Sequence, residues 1–147
     1  MEARTPIPAQ RASGAPRKRI LLMDDDAGIL QATGELLVAL GFDVTRAADG
    51  QEAVEACESA LRNGRTFHAA VLDMVVPHGM GGLECRKRLV ALDPNLPVVA
   101  STGYANHPVA SEPVAAGFAA CLVKPYRVEE LARVLGSILE VRRPTAN

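Results

Sequence analysis

The sequence predicts an α/β fold in which helices cover both faces of a doubly wound, five-stranded parallel sheet. Short apolar segments alternate with segments of helical period five times along the 147 residues. The apolar segments are nearly continuous, which is typical of strands that are buried on both faces. The chain length suits one domain with one buried core. Strands that alternate with helices in this way form parallel sheets.

The first two β–α units are predicted from apolar periodicity. Residues 20–23 form the first strand, and apolar side chains then recur at three- and four-residue steps over residues 27–40. Gly41 follows this helix at the position where a C-terminal cap is expected. Residues 42–45 are the second predicted strand, and residues 51–61 are the second predicted helix.

The remaining three units follow the same pattern. They comprise a strand at 69–72, a loop at 77–82, a helix at 83–92, a strand at 97–101, a helix at 108–116, a strand at 120–123 and a helix at 128–141. The helix at 108–116 has the weakest pattern, because Pro113 lies inside it and removes a hydrogen bond.

Charge and composition indicate the limits of the folded domain and argue against nucleic acids and membranes as partners. Residues 1–17 are predicted to be a flexible tail or linker, residues 18–141 the folded domain, and residues 142–147 a C-terminal tail. Residues 1–19 carry a net charge of +4, and subtracting this from the total of −1 leaves −5 for residues 20–147. An acidic body disfavours nucleic acid binding. The sequence has no apolar stretch of the roughly 20 residues that would span a membrane, and a cytoplasmic location is expected by default.

Residues with chemical potential follow four of the predicted strands. Because parallel strands end at one edge of the sheet, and ligands bind outside that edge, we expect these residues to lie together. They are Asp24, Asp25 and Asp26 after the first strand, Asp73 after the third, Thr102 after the fourth, and Lys124 with Pro125 after the fifth. Of the three consecutive acids, Asp26 is also the expected N-cap of the first helix.

This set of side chains suits phosphoryl transfer. Neighbouring carboxylates repel one another, and a hard divalent cation such as Mg²⁺ relieves the repulsion. A carboxylate beside the cation can act as a nucleophile toward a phosphoryl group. An ammonium group and a hydroxyl can then stabilise the phosphoryl oxygens. The sequence therefore predicts a magnesium-dependent site that accepts a phosphoryl group.

At these residues the sequence resembles the receiver domain of two-component response regulators. The resemblance covers about residues 18–141 and implies a flavodoxin-like strand order of 2-1-3-4-5. The motifs that carry it are Leu22-Met23-Asp24-Asp25-Asp26, Leu72-Asp73-Met74-Val75-Val76-Pro77, Ser101-Thr102-Gly103 and Val123-Lys124-Pro125-Tyr126. Each motif alone is weak, but four in the right order at four strand ends are specific together.

The resemblance also implies a role for each matching residue. Asp73 would be the phosphoacceptor, Thr102 the switch hydroxyl and Lys124 the contact to the phosphoryl group. The ligands of Mg²⁺ (or Mn²⁺) would be Asp25 directly, Asp24 directly or through water, Asp73, and the backbone carbonyl of Val75. A cis peptide bond is expected between Lys124 and Pro125.

The function implied is a signalling switch and not a turnover enzyme. A histidine kinase or histidine phosphotransfer domain would donate the phosphoryl group to Asp73, and the face formed by the fourth helix, fifth strand and fifth helix would respond. Two alternatives stay open. One is a receiver-like adaptor that works without phosphorylation. The other is a metal-dependent phosphatase with an Asp nucleophile, although such enzymes usually carry a second acid where Val75 stands.

Two features depart from the family pattern. Receivers usually have an aromatic residue three positions before the lysine, and Cys121 stands there, although Tyr104 and Tyr126 are close in sequence. The loop at 77–82 is one residue longer than the common form and rich in glycine. This loop resembles that of receivers joined to hybrid histidine kinases, so the kinase module could belong to the same longer chain.

Overall fold

The computed structural model describes residues 16–142, with side chains described as far as residue 139. These residues form five strands and five helices. In chain order they are β1 Arg19–Met23, α1 Ala27–Ala39, β2 Asp43–Ala47, α2 Gly50–Arg62, β3 Ala69–Asp73, α3 Gly82–Leu92, β4 Val98–Thr102, α4 Pro108–Ser111, β5 Ala120–Val123 and α5 Val128–Arg142. Most of the expected N-terminal tail and of the expected C-terminal tail lies outside the described residues. In the part of the chain described, no helix combines the length and the apolar character needed to span a membrane.

The strands form one parallel sheet in the order β2-β1-β3-β4-β5, which confirms the expected fold class. The central strand β3 is buried along its whole length and pairs with β1 on one side and β4 on the other. Since all five strands run in the same direction, their carboxyl ends meet at one edge of the sheet.

The sheet divides the apolar residues into two cores. Alternate side chains of β1 point to opposite faces, so Leu21 and Met23 enter one core while Ile20 and Leu22 enter the other. The first core is closed by α2 and α3, and the second by α1 and α5. Burial of both faces explains why β1, β3 and β4 are nearly continuous apolar segments.

Several strands end at different residues from those predicted, because pairing with neighbouring strands sets their ends. β2 extends to Ala47 and not only to Thr45, because its register with β1 continues from Asp43 opposite Arg19 to Ala47 opposite Met23. β2 lies at the edge of the sheet, where a charged residue such as Arg46 remains exposed. β3 and β4 each end on a polar residue, Asp73 and Thr102, so both side chains are fixed by strand geometry.

The predicted helix at 108–116 is wrong in its length. α4 is a single turn, capped by Nδ1 of His107, which accepts a hydrogen bond from the backbone of Val109 at 3.1 Å. The chain then leaves helical geometry before Pro113 and forms turns that end at Gly117, where φ is +92°. Proline disfavours helical geometry in the residue before it, and this effect outweighs the apolar pattern that predicted a longer helix.

The loop between β3 and α3 packs tightly against the start of α2. The amide of Gly50 donates a hydrogen bond of 2.9 Å to the carbonyl oxygen of Met80, and a Cβ on Gly50 would lie 2.6 Å from that oxygen. On the other side of the loop, a Cβ on Gly82 would lie 2.8 Å from the carbonyl oxygen of Asp73. The glycines therefore allow backbone to meet backbone next to Asp73.

Gly50→Ala is expected to lower the free energy of unfolding by about 2 kcal/mol, because the added methyl group overlaps the Met80 carbonyl. Urea unfolding of the purified chain measures the change. Gly136→Ala in α5 is the matched control, since no described atom outside its neighbouring residues and the nearby backbone of its own helix lies within 4 Å of the added Cβ. Alanine has the higher helix propensity, so the control is expected to gain about 0.5–1 kcal/mol. Equal effects of the two substitutions would contradict the close packing at Gly50.

Candidate functional site

The carboxyl edge of the sheet brings together residues that are far apart in the sequence. Asp24 follows β1, Asp73 ends β3, and Lys124 follows β5. The carboxyl groups of Asp24 and Asp73 are nearly buried, each with 4% of the residue exposed, whereas Asp25 is exposed. The expected convergence of the acidic residues and the lysine is therefore present in the structure.

Three carboxyl groups form the acidic cluster of this site. One oxygen from each of Asp24, Asp25 and Asp73 lies within 4.8 Å of the others. The backbone orients part of the cluster, because Oδ1 of Asp24 accepts a hydrogen bond from the amide of Asp26 at 2.9 Å. Asp26 itself is turned to the helix as expected, and its Oδ1 accepts from the amide of Ile29 at 3.0 Å.

Lys124 is the cation that partly compensates this cluster. Its Nζ lies 2.7 Å from Oδ2 of Asp24 and 3.2 Å from Oδ1 of Asp73. Burial lowers the pKa of Lys124, but the hydrogen bond and charge of Asp24 and the charge of Asp73 outweigh burial and raise the pKa above its ordinary value. Lys124 thus stays charged and holds the two strand ends together.

The single ammonium group of Lys124 cannot neutralise the negative charge of three carboxylates. Burial, followed by the charge of Asp24, raises the pKa of Asp73 from its ordinary value of 3.8 to about 6, although Lys124 acts in the opposite direction. All ligands offered by the cluster are carboxylate oxygens, which suit a hard divalent cation. The charge deficit and the donor set both fit Mg²⁺.

A cavity of about 360 Å³ opens over the cluster. Its walls include Asp24, Asp25, Asp73 and Lys124, together with Asp26, Ile29, Val75, Pro77, Gly103 and Tyr104. Val75 and Tyr104 are exposed at the mouth. Ile29 and Tyr104 were not predicted as site residues. The position of Tyr104, two residues after Thr102, indicated that it could lie near the site. The apolar pattern of the first helix instead indicated that Ile29 belongs to the core.

Thr102 is close in the chain to this cavity but does not line it. Its side chain is fully buried, and its Oγ1 accepts a hydrogen bond from the amide of Tyr104 at 3.1 Å. Cys121, the residue in the usual aromatic position, is half-buried and packs against the core between the sheet and α2 and α3. The structure therefore brings the acids and Lys124 together and leaves Thr102 turned toward its own loop.

The raised pKa of Asp73 gives a pH-dependent stability with a definite sign. The folded chain holds the proton of Asp73 more tightly than the unfolded chain, so this stabilising contribution is complete below the unfolded pKa and is lost as the pH rises through about 6. Asp73→Asn removes the titrating group. In magnesium-free buffer near pH 7.5 the variant is expected to gain about 1–2 kcal/mol of unfolding free energy, after allowance for solvent screening.

Urea unfolding at two pH values tests this expectation. Near pH 5 the gain is expected to be about half as large, because part of the stabilising contribution of protonated Asp73 remains there. A gain that does not change with pH would contradict titration of Asp73 as its cause.

Comparisons with known proteins agree with this geometry. The family model described as the response regulator receiver domain matches residues 20–135. The transcriptional regulatory protein FixJ of Bradyrhizobium diazoefficiens is 31% identical over 127 residues, which make up 86% of this chain and 59% of that protein. The C4-dicarboxylate transport transcriptional regulatory protein DctD of Rhizobium meliloti is 29% identical over 131 residues, 89% of this chain and 27% of that protein. The chain thus spans less than two-thirds of the length of either relative.

A solved structure shows the same arrangement of strands and helices. The CheY-like response regulator receiver domain protein of Methanospirillum hungatei JF-1 has a TM-score of 0.75 and 29% sequence identity to this chain. The alignment covers 86% of this chain and 97% of that one.

Proposed function

The chain belongs to the response regulator receiver domain family, and from that premise we propose that Asp73 accepts the phosphoryl group that operates it as a signalling switch. The observation that carries the proposal is the convergence of Asp24, Asp25, Asp73 and Lys124 at one edge of the sheet. The donor is a histidine kinase or a histidine phosphotransfer domain, in a separate chain or in a longer chain that includes residues 18–141 as its receiver. A cytoplasmic location accompanies this proposal.

Oδ2 of Asp73 is the oxygen that we assign as the nucleophile. Oδ1 already accepts hydrogen bonds from Lys124 at 3.2 Å and from the amide of Val75 at 3.5 Å. These contacts orient the carboxylate. Oδ2 attacks phosphorus, the bond from phosphorus to the donor histidine nitrogen breaks, and the histidine leaves as neutral imidazole because its other ring nitrogen already carries a proton. The product is an aspartyl phosphate.

The metal ligands proposed are the carboxylates of Asp24, Asp25 and Asp73 and the backbone carbonyl of Val75. When bound, Mg²⁺ (or Mn²⁺) supplies positive charge that offsets the carboxylates and the phosphoryl oxygens. An added cation favours ionisation of Asp73, whose pKa is raised to about 6, and therefore enlarges the fraction of the nucleophilic carboxylate near neutral pH.

Lys124 and Thr102 take part after the phosphoryl group arrives. The ammonium group of Lys124 transfers one of its hydrogen bonds from Asp73 to a phosphoryl oxygen, which is more negative. Thr102 does not line the cavity, so its side chain has to turn before its hydroxyl can donate to the phosphoryl group, and this turn breaks the bond from the Tyr104 amide. Because Cys121 is too small to act as the usual aromatic, we infer that this Thr102–Tyr104 contact is the one that the switch breaks.

One alternative is disfavoured by a specific position. A phosphatase with an Asp nucleophile needs a general acid beside it, and the residue two positions after Asp73 is the apolar, exposed Val75. The lysine at the site, whose pKa lies above its ordinary value, does not readily release a proton either. The arrangement favours formation of a phosphoaspartate over turnover of external substrates.

Beryllofluoride with Mg²⁺ tests the proposed switch, because it mimics a phosphoryl group on a carboxylate. Amide NMR shifts are expected to move at Thr102, Tyr104 and Lys124, and the Tyr104 amide is expected to shift most because it loses its bond to Thr102. Thr102→Val keeps the shape and removes the hydroxyl, so the shift at Tyr104 should be absent while those around Asp73 persist. An unchanged spectrum of the original chain would contradict the switch.

A further inference from the structure

The amino-terminal edge of the sheet, opposite the acidic site, carries a small basic cavity. Arg19 begins β1 and Arg65 follows α2, and both line a cavity of about 200 Å³. Its polar walls also include Thr45, Ser59 and Asn63. None of the described residues that line this cavity is acidic. We refer to it as the Arg19 cavity.

One nitrogen of the Arg19 guanidinium group has no hydrogen-bond acceptor in the described part of the chain. Its central carbon lies 4.6 Å from the centroid of the Phe67 ring, a cation–π contact that fixes the side chain. Its Nη1 is buried and has no hydrogen-bond partner in the described part of the chain. Buried donors in folded proteins are nearly always paired, and a water molecule or an ion is one explanation for an exception.

The charges around Arg19 add a second reason for an anion. Burial and the nearby charge of Arg65 lower the pKa of Arg19, which means that its positive charge is poorly compensated. Asp43 acts in the opposite direction, but its carboxylate is also shared with Arg17 at 3.6 Å. The Arg19 cavity therefore has an excess of positive charge, whereas the body of the chain is acidic.

We propose that the Arg19 cavity binds a phosphate group, either as inorganic phosphate or as the phosphate of a small monoester. Two guanidinium groups match the charge of a dianion, and guanidinium groups suit the geometry of phosphate oxygens. The guanidinium groups of Arg19, whose Nη1 is unpaired in the described part of the chain, and of Arg65 donate to the ligand, and the hydroxyl of Ser59 and the amide of Asn63 supply neutral donors. The Arg19 cavity lies at the other end of β1 from Asp24, so this proposal does not depend on the chemistry at Asp73.

Titration of inorganic phosphate into the Asp73→Asn chain tests the proposal, in magnesium-free buffer so that the acidic site does not contribute. The side-chain Nε–Hε signals of Arg19 and Arg65 and the amide signals of Asn63 and Phe67 are expected to shift and to saturate. Chloride at equal ionic strength is expected to give no saturable shift. Glycerol phosphate is titrated in parallel. Tighter binding of glycerol phosphate assigns the cavity to monoesters, and tighter binding of inorganic phosphate assigns it to the free ion.

Arg65 and Arg62 are close to one another in sequence, so a substitution at Arg65 tests the cavity and the same substitution at Arg62 is its control. Arg65→Gln is expected to weaken binding about tenfold or more, since it removes a charged donor from the cavity. Arg62 is also exposed and lies at the end of α2 but does not line the cavity, so binding should persist in Arg62→Gln. Shifts that chloride reproduces, shifts that do not saturate, or equal losses in the two variants would overturn the proposal. Arg65 is exposed, so its substitution keeps the fold.

Discussion

Asp73→Asn is expected to accept phosphoryl groups at a rate about a hundredfold or more below that of the original chain, so that no phosphorylated protein is detected. An amide is a poor nucleophile, and the substitution keeps the size of the side chain and one oxygen that can accept the hydrogen bond from Lys124. The measurement is the intact mass of the chain after incubation with Mg²⁺ and acetyl phosphate, and then with a candidate histidine kinase.

An expected gain in stability and a control variant allow loss of labelling to be assigned to Asp73. The variant is expected to be more stable at neutral pH, because the carboxyl group whose pKa is raised to about 6 has been removed, so lost labelling is not a consequence of unfolding. Asp93→Asn is the control, since Asp93 directly follows α3 and is not part of the acidic cluster, and the substitution should leave labelling unchanged. Equal labelling of the Asp73 and Asp93 variants would mean that another residue accepts the phosphoryl group. Full signalling by unlabelled Asp73→Asn protein would favour the adaptor alternative.

Lys124→Met is expected to produce the second large effect, on both stability and phosphorylation. Without the ammonium group, Asp24 and Asp73 stay buried beside one another with no cation, and magnesium-free protein should lose about 2–4 kcal/mol of unfolding free energy near neutral pH. Phosphorylation should slow by about a hundredfold, because one donor to the phosphoryl oxygens is missing.

The cause of the stability loss can be separated from simple loss of packing. The deficit is expected to shrink on addition of Mg²⁺, and also as the pH falls and Asp73 takes up a proton. Lys87→Met on the exposed face of α3 is the control and should change stability by less than about 0.5 kcal/mol. A deficit that neither Mg²⁺ nor low pH reduces would contradict the electrostatic explanation.

The fold was predictable because the central strands β1, β3 and β4 are buried on both faces, so that each of them is visible as an apolar segment. The edge of the sheet that holds the site followed from the parallel direction of the strands. Boundaries set by pairing were not visible, and β2 ends two residues beyond its apolar pattern because it follows β1 to Ala47. The single turn of α4 shows that one proline outweighed an otherwise suitable pattern.

Within the site, residue types were more predictable than orientations. The sequence contains Asp24, Asp73 and Lys124, but only the folded chain shows Lys124 contacting both carboxylates and Asp73 with a raised pKa. It also shows Thr102 bonded to its own loop, which no sequence pattern reveals because it depends on one side-chain torsion angle. The Arg19 cavity had no sequence signal, since Arg19 and Arg65 belong to separate segments.

The two ends of the sheet carry opposite charges, and this gives the domain a long-range electric polarity. Carboxylates gather at one end, around Asp73, while Arg17, Lys18, Arg19 and Arg65 gather at the other. In such a field an approaching partner is rotated before contact, so that its positively charged surface meets the end where the reaction takes place. Productive encounters then become more frequent than random collision allows, and salt ions weaken this advantage by screening the field.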